Sequence, residues 1–171
     1  VLNCAATNIT LTATSSVPGL IYDWGGGIMF PTALVNTPGT YSVTVTNLDN
    51  GCTATTSTTV TQNIITPDIS INTPPILTCA MTAVTLTASS VTPNVTYEWD
   101  NATAGLVRIV TDPGSYSVTV TDSNNGCTAT TSTTVTQNIV TPDISISTPP
   151  ILTCAVTSVT LTASSLTPSV T

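Results

Sequence analysis

The stretch Gly114 to Gln137, GSYSVTVTDSNNGCTATTSTTVTQ, decides the fold. Within it Tyr116, Val118 and Val120 alternate with Ser117, Thr119 and Thr121, the period-two pattern of a strand with one buried face. Asp122-Ser-Asn-Asn-Gly126 predicts a turn, because Asn and Gly tolerate positive φ and an Asp side chain bonds its own backbone. Cys127 through Val135 reads as the returning strand, so the stretch predicts a long β-hairpin. An almost identical copy, GTYSVTVTNLDNGCTATTSTTVTQ, runs from Gly39 to Gln62.

The rest of the composition agrees with extended structure. Of 171 residues 41 are Thr, and a β-branched side chain loses χ1 freedom against a helical turn. No window of ten residues carries apolar side chains at helical spacing, so an all-β protein is expected. Arg108 is the sole basic residue, His is absent and the net charge is −7. A chain so short of cations cannot neutralise phosphates, which argues against nucleic acid as a partner and against attraction to an anionic membrane. No apolar run is long enough to span a bilayer.

The sequence repeats at a fixed interval. Cys4, Cys79 and Cys154 are evenly spaced, and the same step carries Trp24 to Trp99 and Cys52 to Cys127. Between Gly51–Thr78 and Gly126–Thr153, 26 of 28 positions are identical, so the copies align without a gap. Fixed-period similarity of this kind marks an array, and a unit as long as the step from Cys4 to Cys79 suits one small β-sandwich. Residues 1–64 are expected to form a unit lacking its first strand, 65–139 a whole unit, and 140–171 the start of a third. The natural polypeptide is therefore expected to be longer.

Within the whole unit, Gln62 to Pro67 reads as a short, semi-rigid connection. Ile69 and Ile71 share one face of a first strand that Pro74-Pro75 interrupts, as a strand changing sheets requires. Val84, Leu86 and Ala88 point inward from the next strand, and Tyr97 and Trp99 from the one after. Arg108–Val110 predicts a short strand, Asp112-Pro-Gly114 a turn, and the hairpin closes the unit. About seven short strands at this spacing predict an immunoglobulin-like β-sandwich, repeated in tandem.

Five cysteines alternate between a long interval, Cys4 to Cys52, and a short one, Cys52 to Cys79. That alternation predicts Cys4–Cys52 and Cys79–Cys127 disulfides, with Cys154 awaiting a partner further along. A small sandwich buries little core, so a staple is expected to matter, and disulfides imply an oxidising compartment. Without His and without CxxC spacing, a metal or redox site is disfavoured.

The residues TYEWDN (Thr96–Asn101) followed by GSYSVTVTDSNNGCTAT (Gly114–Thr130) resemble the SprB-type repeat, a PKD-like and immunoglobulin-like module of Bacteroidetes surface adhesins. The first copy shows the same features as IYDW (Ile21–Trp24) and GTYSVTVTNLDNGC (Gly39–Cys52). The resemblance covers the latter two-thirds of each unit. It implies a building block of very long adhesins exported by the type IX secretion system, some of which carry cells in gliding.

Catalysis finds little support. There is no base for a nucleophilic Ser, and the acids Asp23, Glu98, Asp100, Asp112 and Asp122 are not repeated faithfully between copies. An enzyme is not expected, nor a cofactor. A calcium site near Asp122, Asn124 and Asn125 competes with a plain turn, which explains the same residues. Trp24 and Trp99 are expected in the core rather than as sugar-stacking platforms. The returning strand is uncharged, so Thr128, Thr130, Ser132, Thr134 and Thr136 form a candidate edge for pairing with another copy. The first expectation is a structural repeat region of an extracellular, cell-surface adhesin, stalk or filament, partnered by neighbouring repeats and other copies of itself. The alternative is an array of modules that grip extracellular polysaccharide through the variable loops Gly25–Pro38 and Asp100–Pro113.

Overall fold

A computed structural model describes residues 1–168, and no helix occurs among them. No helix is therefore long and apolar enough to cross a membrane. The first copy contributes β1 (Leu2–Asn3), β2 (Ile9–Thr12), β3 (Leu20–Asp23), β4 (Thr32–Val35), β5 (Gly39–Asn47), β6 (Thr53–Val60) and β7 (Gln62–Asn63). The second contributes β8 (Ser70–Ile71), β9 (Leu77–Thr78), β10 (Val84–Ser89), β11 (Val95–Trp99), β12 (Val107–Val110), β13 (Gly114–Asp122), β14 (Thr128–Val135) and β15 (Gln137–Asn138). Two short strands of the third, β16 (Ser145–Ile146) and β17 (Ala163–Ser164), pair with each other.

In the second copy β8, β10 and β12 form one sheet, in the order β12-β10-β8, and β11-β13-β14 form the other. The interruption at Pro74-Pro75 sends the chain from the first sheet to the second. Before it, Ser70 and Ile71 pair antiparallel with β10; after it, Leu77 and Thr78 pair parallel with β15. Proline removes a ladder donor, so two in a row release the strand from one sheet and let it join the other. This is the topology of an immunoglobulin-like sandwich. The predicted hairpin is present, with Ser117 opposite Ser132 and Val120 opposite Ala129.

The alternation read in the sequence sets the core. Val84, Leu86 and Ala88 face inward from β10, and Val118 from β13 faces them with Leu77, Trp99, Val110 and Val135. Ile69, Ile71, Tyr97 and Tyr116 close its margins. Trp99 is 1% exposed, and its indole N–H donates to Gly105 O at 3.1 Å. A buried indole needs that partner, which the loop after β11 supplies. At the turn into β13 the Tyr116 hydroxyl donates to Asp112 O at 2.7 Å, and Tyr41 does the same to Thr37 O at 2.8 Å. A tyrosine hydroxyl bonded back to backbone just upstream is the corner device of immunoglobulin-like sandwiches. In the sequence Tyr116 reads only as an inward-facing strand residue, so this role of its hydroxyl was not expected.

Candidate functional site

The site worth building lies where the first copy meets the second, and β1 and β9 explain why it falls there. Leu2 pairs with Gln62, and Asn3 with Asn63, so the first strand runs alongside the end of the last. Cys4 follows at once and therefore sits at the same pole as Asn63. Cys52 lies at the other end of β6, ten residues before Gln62. Ten extended residues at about 3.3 Å each put roughly 33 Å between the two ends, far beyond the 7 Å or so that a disulfide spans between Cα atoms.

The expected Cys4–Cys52 and Cys79–Cys127 disulfides are accordingly absent. The structure instead joins Cys4 to Cys127, with Cα atoms 4.9 Å apart, across 123 residues of chain and from one copy to the next. Cys52, Cys79 and Cys154 are unpaired and exposed. The alternating spacing concealed this because it records distance along the chain, whereas the parallel pairing of β1 with β7 decides which pole each cysteine occupies.

Hydrogen bonds surround the disulfide. The turn between β13 and β14 closes on itself: Asp122 N donates to Cys127 O at 2.9 Å and Gly126 N to Asp122 O at 2.8 Å. Asp122 Oδ1 accepts from Asn124 N at 2.8 Å and from Asn124 Nδ2 at 2.9 Å, which holds the turn. Asn125 is 2% exposed. Its Oδ1 accepts from Cys127 N at 2.8 Å, while Nδ2 reaches into the first copy, donating to Asn63 Oδ1 at 3.2 Å and Ile65 O at 2.9 Å. Ala5 N completes the contact by donating to Asn125 O at 3.3 Å. Every polar group of the Asn125 side chain is satisfied, as burial demands.

Gly126 shows how closely the copies approach. A Cβ there would lie 2.6 Å from Ala5 Cβ and 3.1 Å from Ala5 N, and φ is +71°. Only glycine meets both conditions without strain. Asp122, Asn124 and Asn125 thus build a turn and an interface. Among the described residues no group of three or more acidic, His or Cys side chains could hold a metal ion.

A second device was also missed. Asp68, just before β8, accepts from Ser90 Oγ at 2.9 Å, Val91 N at 3.0 Å, Thr92 N at 3.0 Å and Thr92 Oγ1 at 2.8 Å. Asp143 makes the same set with Ser165, Leu166 and Thr167. The Val91 N–H, then the Thr92 hydroxyl, hold the Asp68 carboxyl well below the usual carboxylate range. For Asp143 the Thr167 hydroxyl leads, followed by the Leu166 N–H. The faithful recurrence of Asp68 at Asp143 was the available signal.

The other candidates spread apart. Thr128, Thr130, Ser132, Thr134 and Thr136 are all exposed; the first four lie on β14, whose only ladder neighbour among the described residues is β13, whereas Thr136 O accepts from Leu77 N at 2.9 Å, so that end of the candidate edge is covered. Trp99 is buried and Trp24 half-buried, with its indole N–H donating to Phe30 O at 2.9 Å. Arg108 pairs with Asp100 and lies over the Tyr116 ring, 4.6 Å from its centroid. The variable loops differ in what they present: Phe30 is 71% exposed, and its counterpart is Gly105.

Comparison with known proteins adds little to this picture. No family model matches the chain, and no curated protein does. Among solved structures it is similar to the titin domains Z1Z2 in complex with telethonin, at 18% identity, covering 82% of this chain and 80% of that one, with a TM-score of 0.24. The immunoglobulin-like assignment rests on the strand pairing rather than on that likeness.

Proposed function

We propose that the chain is a structural repeat region of a long extracellular adhesin, stalk or filament on a bacterial surface, built of 75-residue sandwiches set head to tail. One observation carries the reading: consecutive copies are joined by a disulfide and a buried asparagine, not by the connecting chain alone. Such a joint resists bending and pulling, which serves reach rather than turnover. A thiol-oxidising location outside the cytoplasm fits the disulfide. The Thr/Ser coat and net charge of −7 suit a surface that repels its neighbours. Attachment, or a part in gliding of the SprB type, then comes from elsewhere in the polypeptide or from many weak contacts along it.

Electron microscopy of purified protein tests this. Stiff particles with an axial repeat of about 30–40 Å, set by strands of eight or so residues, are expected, and they should become flexible after reduction. Particles equally flexible before and after reduction would remove the proposal's basis. The polysaccharide reading draws on one exposed aromatic, Phe30, which the second copy replaces with Gly105. A ligand site that the next copy does not keep is a poor basis for an array.

A further inference from the structure

The Cys4–Cys127 joint has two halves, and each recurs, unoccupied, elsewhere in the chain. Cys52 takes the position of Cys127 one repeat earlier, and Cys79 takes that of Cys4 one repeat later. Around Cys52 the turn is already in its joint conformation. Asn47 N donates to Cys52 O at 2.9 Å and Gly51 N to Asn47 O at 2.8 Å. Cys52 N donates to Asn50 Oδ1 at 3.0 Å, and Gly51 has φ +71°, equal to that of Gly126. The Asn50 amide, the counterpart of the one that clamps Asn63 and Ile65, is exposed.

The receiving half is preformed as well. Thr78 N donates to Met81 O at 2.9 Å beside Cys79, as Asn3 N does to Ala6 O at 2.9 Å beside Cys4. Val140 N lies 3.4 Å from Asn138 Oδ1, the distance between Ile65 N and Asn63 Oδ1. Asn138 and Val140 are as exposed as Asn63 and Ile65, but among the described residues no asparagine amide bonds them as Asn125 bonds Asn63 Oδ1 and Ile65 O.

We propose that Cys52 and Cys79 are these two half-joints, and that each bonds its complement on another copy of the same repeat. In the 171-residue chain by itself the partner is a second chain, with Cys52 of one joined to Cys79 of the other. The inference extends the stalk reading, resting on it only in treating successive copies as alike. Formation is a thiol–disulfide exchange. A low-molecular-weight disulfide is attacked by one cysteine thiolate, giving a mixed disulfide and one free thiol. The second cysteine thiolate then attacks that mixed disulfide at the protein sulfur and releases the other small thiol. Two protein thiols are oxidised, one small disulfide is reduced to two thiols, and the protons pass to those thiols.

The test oxidises the purified chain with glutathione disulfide, alkylates it, and resolves it by non-reducing electrophoresis with disulfide peptide mapping. A ladder in steps of 17.4 kDa is expected, collapsing on reduction and yielding a Cys52–Cys79 peptide. Gly51→Asn is the sharper variant. Nothing lies within 4 Å of a Cβ at Gly51 in the single chain, and asparagine tolerates its φ. In the joint that Cβ would strike the partner's counterpart of Ala5. The variant should keep the Cys4–Cys127 peptide, which reports folding, while the ladder falls at least tenfold. A chain that stays monomeric with Cys52 and Cys79 both alkylated overturns the proposal. So does a ladder of mixed linkages that ignores Gly51→Asn, which would mark indiscriminate oxidation. Either result leaves the stalk reading to the micrographs, because the axial repeat does not depend on this cross-link.

Discussion

The two copies of the repeat share most of their sequence yet differ in how much they bury. Trp99 is sealed in its core while Trp24 is half-exposed; Leu86 is buried and Leu11 is not; Cys127 and Asn125 are enclosed while Cys52 and Asn50 face solvent. Two neighbours account for the difference. In the second copy Ile71 of β8, and Ile69 just before it, lie against the core, and among the described residues no such strand lies against the core of the first copy. In the first copy a cleft of about 150 Å³ remains between the sheets, lined by Thr12, Ala13, Trp24, Tyr41, Val43 and Thr56 to Thr58. The second copy also has another copy seated on its β13–β14 turn. The second copy is therefore closed by its own first strand and, at its β13–β14 turn, by the copy before it.

The largest expected contrast is in the core. Trp99→Ala should cost about 3–5 kcal/mol of unfolding free energy, and Trp24→Ala clearly less, read by chemical denaturation of the two variants side by side. Equal costs would mean that the first copy is closed in solution. Next comes the disulfide. Cys127→Ser should cost about 2–4 kcal/mol, whereas Cys52→Ser should leave the monomer's denaturation midpoint unmoved. Asn125→Ala, which strands Asn63 Oδ1 and Ile65 O, should cost about 1–3 kcal/mol, and Asn50→Ala close to nothing.

The smallest effect concerns acid. Asp68 has a folded pKa depressed below its unfolded value near 3.9. Its contribution is therefore full above about pH 4 and is lost as pH falls through the folded value. Thermal scans between neutral pH and pH 2 should show Asp68→Asn to be less acid-sensitive than the parent chain. An unchanged pH profile in the variant would remove Asp68 as its cause.

Period-two alternation was enough to find the hairpin and the inward faces of β10 and β11, and the double proline the change of sheets at Pro74-Pro75, because these depend on neighbours along the chain. The joint was not legible. Asn63 and Asn125 look like ordinary turn residues, and nothing in their spacing says that one bonds the other across copies. The cysteine intervals misled for the same reason. They fit a pairing inside each unit until the parallel alignment of Leu2 with Gln62 places the partners at opposite poles. The tyrosine corner needed only local reading, whereas the Asp68 clasp joins residues 22 to 24 apart; the recurrence of both one repeat away was the signal passed over.

Peptide mapping of the singly folded, monomeric chain under non-reducing conditions tests the account most directly. A tryptophan- and tyrosine-directed digest should yield Cys4 linked to Cys127, with Cys52 and Cys79 carrying the alkylating label. Recovery of Cys4 bound to Cys52 and Cys79 bound to Cys127 would place each staple inside one sandwich, and the clamp between copies would be gone.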